Sequence, residues 1–413
     1  MKRLIKRLHI GFLNTCRIWR DEYTYVFRDY GVLLFFFALP FAYPVVYALI
    51  YNTELVRDVP MAVVDDCRTP LSRQLVRDMD ASPDVKNISY CANMEEAKRL
   101  MYKRECFGIL YIPHDFSKKV MRGEQSPVLM YCDMSMMLNY KSLLIALTDV
   151  TLKLGAELQC EALGGDSRKE KQVIMNPIPS SSITLYNPES GYGTFLIPAV
   201  LILILQQSLI LGIGMLAGGM YEKRRLRFYY YDRSESENRN IIHLIFGKTL
   251  CYYSLYIINA IYVLHIVPWL FRFPQNAPQW DIYIFITPFL LASILLGMTL
   301  SVFCKERESS FILFVFTSVP FLFLSGITWP DFVMPDFLKL IAQFIPSTFG
   351  IKGFVHMNTM GATINDVKGY YLSLWGLSVL YFFTAFLIYK YRIMRDKSLN
   401  DTAVHRSVFE QQP

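Results

Sequence analysis

The sequence predicts a polytopic α-helical membrane protein with six transmembrane helices and an extracytoplasmic α/β domain inserted between the first and second spans. Three observations carry that expectation. The 413 residues are 53% hydrophobic and 15% aromatic but only 19% charged, with mean hydropathy +0.27; soluble domains carry about 25% charged residues. Six stretches lack Asp, Glu, Lys and Arg and reach the roughly 20 residues that a helix needs to cross about 30 Å of hydrocarbon. They are Val32–Tyr51, Gly193–Tyr221, Thr249–Phe271, Ile282–Cys304, Ser309–Pro330 and Gly369–Tyr389. Residues 52–192, in contrast, alternate short β-rich and helical runs.

In chain order, residues 1–30 form a basic amphipathic segment. Leu4, Ile5, Leu8 and Phe12 recur with Lys and Arg between them, the pattern of a helix lying on a membrane surface. Residues 31–51 are the first transmembrane helix. It begins too late, runs too long and lacks the small-residue cleavage site of a signal peptide, so it is expected to remain as an anchor. In the 52–192 domain, 61–65, 85–90, 106–112 and 127–132 read as strands, and 70–79 and 93–103 as helices, the second capped by Asn93. That β-α-β-α-β order predicts a largely parallel sheet. A longer helix follows, with Leu143, Leu144, Leu147, Val150, Thr151, Leu154 and Leu158 at helical spacing, ended by Gly164-Gly165-Asp166.

Residues 193–221 are the second span and 222–248 a cytoplasmic loop that opens Glu222-Lys223-Arg224-Arg225-Leu226-Arg227. That run suits a solvated positive loop or a docking helix equally. Residues 249–389 hold the third to sixth spans. Within them a short helix at 336–346, with Phe337, Leu338, Ile341, Phe344 and Ile345 on one face, is too short to cross and belongs at the outer interface. Residues 390–413 form a tail. Basic residues crowd residues 1–30, the 222–241 loop, Lys305, Arg307 and the tail, against Arg272, Lys339, Lys352 and Lys368 on the other side. The positive-inside rule therefore places both termini in the cytoplasm and 52–192 outside. The net charge of +7 is accounted for by orientation, and no nucleic-acid partner is expected.

Catalytic signatures are scarce. Gly247-Lys248-Thr249 looks like the end of a P-loop, but the glycine needed five positions before Gly247 is Ile242. The six histidines are scattered without a GxSxG elbow, and no CxxC or Cys/His spacing predicts a metal site. The chain is thus expected to be non-catalytic, to bind no cofactor itself, and to use ATP and Mg only through a partner. Five cysteines fall in the 52–192 domain. Cys67 and Cys91 each follow a strand at one sheet end, which makes them a candidate disulfide, with buried reduced thiols as the competing expectation. Within the spans the polar groups are uncharged. Gln206, Gln207 and Asn259 are the candidate substrate path, set against interhelical hydrogen bonding.

Order and spacing then carry a resemblance. Arg28-Asp29 precedes the first span, followed by VPMAVVD (59–65), LSRQL (71–75), EEAKRL (95–100) and GILYIPHDFS (108–117). YNP (186–188) and FLIP (195–198) mark entry to the second span, and SGITWPDFVMP (325–335) and IPSTFGIKGF (345–354) the outer region. Together these resemble the membrane subunit, or permease, of type-2 ABC exporters, in the branch with a large extracytoplasmic domain after the first span. The resemblance implies two permeases, a second copy or an unlike one, with a cytoplasmic ABC ATPase dimer, in a bacterial inner membrane. A periplasmic adaptor and membrane lipid are further expected partners. It also implies ATPase coupling through Glu222, Lys223, Arg224, Arg225 and Arg227. Relatives read like E-R-E-x-G-T-x-E there, however, and this chain reads YEKRRLRFYY. The expected function is export of a drug or other amphiphile from the cytoplasm or inner membrane. The alternative is a non-transporting receptor or scaffold presenting the α/β domain.

Overall fold

The computed structural model describes residues 2–51, 56–163, 184–187, 191–222 and 241–409, of which 2–8, 87–88 and 393–409 are described by their backbone. The chain divides into a helical unit, residues 1–52 with 185–413, and a sheet-containing unit, residues 53–184.

The sheet unit follows the sequence pattern closely. Its strands are β1 (Val59–Asp65), β2 (Val85–Tyr90), β3 (Gly108–Ile112) and β4 (Leu129–Cys132), in spatial order β2-β1-β3-β4. β1 pairs in parallel with both β2 and β3, and β4 closes the edge antiparallel to β3, with Gly108 opposite Cys132. Side chains alternate across a strand, so β1 feeds two cores. Val59, Met61 and Val63 join Leu75 and Met79 of one helix (Pro70–Asp80) and Leu143, Val150 and Leu154 of the long helix (Met137–Leu163). Ala62 and Val64 point the other way, onto Ala97 of the Met94–Tyr102 helix, Cys91 and Cys106. Asn93 does cap that helix, its Oδ1 accepting from Glu96 N at 2.9 Å. Leu144, expected in the apolar stripe of the long helix, is instead 44% exposed.

The helical unit contains α1 (Lys2–Arg28), α2 (Tyr30–Ile50), α7 (Tyr192–Glu222), α8 (Ile241–Leu270), α9 (Gln279–Phe303), α10 (Ser309–Leu324), α11 (Asp336–Ala342), α12 (Pro346–Met360) and α13 (Lys368–Phe409); the four helices of the sheet unit take the numbers between. Five of these, α2, α7, α8, α9 and α13, are long and apolar enough to cross a membrane. The sixth expected span, Ser309–Pro330, becomes a helix of 16 residues, about 24 Å at roughly 1.5 Å per residue. It stops because Gly326 takes φ +84° and Pro330 follows, a conformation that residues with a Cβ rarely adopt. α7 is the central element, buried throughout its spanning stretch and packed by α2, α9, α10 and α12.

Two expectations are corrected here. The third helix starts at Ile241, so 241–248 belong to α8 and not to a loop. Leu244 and Ile245 are buried, and the charge of Lys248 that had marked the span's limit is neutralised inside the fold, as described below. Second, Pro346 does not merely bound the short helix before it. It opens α12, with Pro at the first position and Gly361 at φ +72° as the left-handed stop. The preceding helix ends at Ala342, and Phe337, Ile341 and Phe344 are exposed while Ile345 is buried.

Candidate coupling end and mid-span polar seam

α1 turns a different face to the protein from the one that carries Phe12, which is 67% exposed, as are Ile10 and Leu13 to lesser degrees. The buried line is Gly11, Asn14, Ile18, Glu22 and Val26, at the three- and four-residue spacing of one helix face. This line lies against α8. A Cβ added at Gly247 would come within 2.7 Å of Ile18 Cγ2, and one at Gly11 within 2.6 Å of the His243 ring, so the two glycines permit the close crossing. Thr15 Oγ1 is 3.4 Å from His243 Nδ1, and Tyr23 and Ser254 hydroxyls are 2.5 Å apart. At the centre, Lys248 Nζ donates to Glu22 Oε1 at 3.1 Å, with side-chain exposures of 5% and 0%. The Tyr252 hydroxyl donates to the same oxygen. Gly247-Lys248-Thr249 is thus a helix-crossing element: Gly247 for approach, Lys248 for the ion pair, Thr249 Oγ1 donating to Met298 Sδ at 3.8 Å.

A second charged cluster joins three more segments. Asp29 caps α2, its Oδ1 accepting from Gly31 N and Val32 N at 3.2 and 3.3 Å. Its other oxygen pairs with Arg307, in the link between α9 and α10. Glu222, at the end of α7, accepts the backbone N–H of the same Arg307 at 2.8 Å. A side chain at Gly218 would collide with the Glu306 carbonyl oxygen. The end of α7 is therefore clamped to the α9–α10 link, and the link to the start of α2. Of the candidate coupling residues, Glu222 takes part; Lys223, Arg224, Arg225 and Arg227 lie outside the described residues. Asp29, Arg307, Glu22 and Lys248 were not foreseen in these roles. Arg28-Asp29 was the one local signal, since an Asp just before an apolar helix is a capping pattern.

Two of the three candidate path residues, Gln206 and Gln207, join one polar cluster inside the bundle. Gln206 Nε2 donates to Ser347 Oγ of α12 at 3.2 Å, and its Oε1 accepts from Ser293 of α9 at 3.4 Å. Gln207 Oε1 accepts from Thr317 of α10 at 3.2 Å, and Tyr256 of α8 donates to Ser208 at 3.1 Å. One turn of α7 thus bonds to four helices. Asn259 is apart from them and donates to Phe36 O of α2 at 2.7 Å. Gln206 and Asn259 are fully buried. Gln207 Nε2 and Asn259 Oδ1 are buried without a hydrogen-bond partner among the described residues.

Cys67 and Cys91 are both free thiols, and so are the other six cysteines. They lie in the two different cores of the sheet unit, because β1 turns toward one side after Asp65 while β2 delivers Cys91 to the other. Burial raises the Cys67 pKa, but the Ser117 and Thr69 hydroxyls, each 3.4 Å from Sγ, outweigh it and bring the thiol below its ordinary value. Burial, with Cys91 beside it, pushes Cys106 up to about 11.

Residues 30–387 match the family described as ABC-2 family transporter protein. The chain is 22% identical over 366 residues to the linearmycin resistance permease protein LnrN of Bacillus subtilis, covering 84% of this chain and 92% of that one. The match spans most of both units and coincides with the apolar helices. The chain is therefore an integral membrane permease belonging to the ABC-2 transporter family.

Proposed function

We propose that this permease is the membrane half of an ATP-driven exporter, with ATP hydrolysed by a separate pair of ATPase subunits and the permease acting in a pair. The family match over residues 30–387 carries the proposal. Both termini face the cytoplasm in this reading, α10 completes a set of six spans, and residues 53–184 stand outside. The relative's name concerns resistance, which supports a drug or other amphiphile as the class of substrate.

The charged end has the connections that coupling needs. A push on Glu222 is delivered through Arg307 to α2 and to the α9–α10 link at once, so helices are displaced together and not one loop alone. Coupling requires an element with two arrangements that both ends bias. The seam around Gln206 and Gln207 fits that role: its bonds are neutral and can be exchanged when helices separate to open a path, with Asn259 on the same route. The test is reconstitution in vesicles with a candidate ABC ATPase subunit. The permease alone is expected to show no hydrolysis, and the complex ATP-dependent export. Stable insertion with neither ATPase association nor export would favour the receptor reading.

A further inference from the structure

We propose that the cleft at the charged end of the helical unit binds one anionic phospholipid, its headgroup phosphate held between Lys305 and Arg392. The cleft encloses about 740 Å³, within the range of small-molecule sites. Lys305, Glu306, Ser309 and Arg392 supply its polar groups, and Val302, Phe303, Leu387 and Ile388 its apolar wall. Two cations face one carboxylate, which favours an anion. Among the described residues, neither Lys305 nor Arg392 is ion-paired. The Arg392 guanidinium lies 5.0 Å over the Tyr221 ring, a stack that fixes its plane and leaves its N–H edge for a phosphate.

Position makes the ligand a lipid and not a soluble anion. Here three helices change from apolar to charged: α7 ends at Glu222, α10 begins at Ser309 and the apolar stretch of α13 ends at Arg392. Leading away from the cleft, Leu380, Phe383 and Leu387 of α13 are 40%, 60% and 62% exposed, three- and four-residue steps along one face. That stripe is a bed for an acyl chain. Basic pockets between spans on the cytoplasmic side are suited to anionic headgroups. The proposal takes only its leaflet from the exporter reading, and the binding measurement below involves neither ATPase nor transport, so the two can fail separately.

The experiment is native mass spectrometry of the detergent-purified full chain, titrated with dioleoylphosphatidylglycerol, dioleoylphosphatidylcholine or inorganic phosphate. One phosphatidylglycerol should be retained in preference to phosphatidylcholine. K305Q and R392Q should each weaken its binding about fivefold, given the usual contribution of one basic residue near a surface. L387E, which keeps both cations but puts a carboxylate on the apolar wall, should weaken it similarly. Circular dichroism and elution volume confirm that each variant is folded. Equal retention of both lipids, unchanged by K305Q and R392Q, would overturn the proposal. So would inorganic phosphate displacing phosphatidylglycerol at millimolar concentration, which would mark an anion site without lipid specificity.

Discussion

The charged contacts and the neutral seam hold the same bundle by different means. Between α1 and α8, Glu22 and Lys248 pair while removed from water almost completely, and breaking a buried pair is costly. In the seam, Gln206 and Gln207 bond to hydroxyls that can turn to other partners, and the Gln207 amide nitrogen has no acceptor among the described residues. The first arrangement resists separation. The second tolerates it, which is what a region that parts and recloses requires.

The largest effect is expected where the contrast is sharpest. Glu22→Ala or Lys248→Ala breaks a buried ion pair and should cost about 3–5 kcal/mol, read as lost thermal stability in detergent and lowered abundance. Replacing both together by Met should recover most of the loss. If each single substitution proves neutral, the pair is not buried in the membrane-embedded protein.

Next come the partly exposed contacts. Glu222→Ala removes an acceptor at an exposed site and should change stability by about 1 kcal/mol or less. It should nevertheless uncouple ATP hydrolysis from export in the reconstituted complex, and Arg307→Ala should do so too. Full export by both variants would place the contact elsewhere. For the seam, Gln206→Leu with Gln207→Leu loses hydrogen bonds worth about 1 kcal/mol each but also the unused donor. Folding should persist and ATPase association survive, while export falls.

These contacts also show where a sequence is legible. The strands of the sheet unit could be read to within about two residues because short apolar β-rich runs such as 61–65, and the cap at Asn93, are local signals. Glu22 and Lys248 could not be joined, being 226 positions apart, and treating every charge as the end of a span cut α8 short at Lys248. The helix from Pro346 to Met360 did carry readable stop and start residues, Pro346 and Gly361, but its polar content hid it among spans sought by hydropathy. Glu222 was placed from the family pattern; its partner Arg307 was visible only as one more basic residue.

The smallest effect concerns thiol chemistry in the sheet unit. Alkylation of Cys67 should outpace that of Cys106 at neutral pH. Its acidity is raised by the two hydroxyls, so its rate should reach half-maximum at a lower pH than an ordinary thiol, whereas Cys106 stays protonated until about 11. Peptide mapping after timed iodoacetamide labelling, from about two units below the ordinary thiol value to about three above it, reads both. Faster loss of Cys106 would reverse the ranking of their surroundings.

Two of the spanning helices contain a single widened π-turn, Leu34–Ala38 in α2 and Tyr262–Ile266 in α8, and Asn259 reaches into the first through Phe36 O. Each such turn accommodates one residue more than a regular helix would. Everything downstream is thereby rotated by about 100° around the helix axis, the angle of one residue. Phe41 lies downstream of the turn in α2 and is aimed by it onto Tyr262, the residue that opens the turn in α8; the rings stack 4.1 Å apart and the Tyr262 hydroxyl donates to Phe41 O. Deleting one residue from the α2 turn would leave that helix continuous and equally apolar, yet aim Phe41 away from Tyr262.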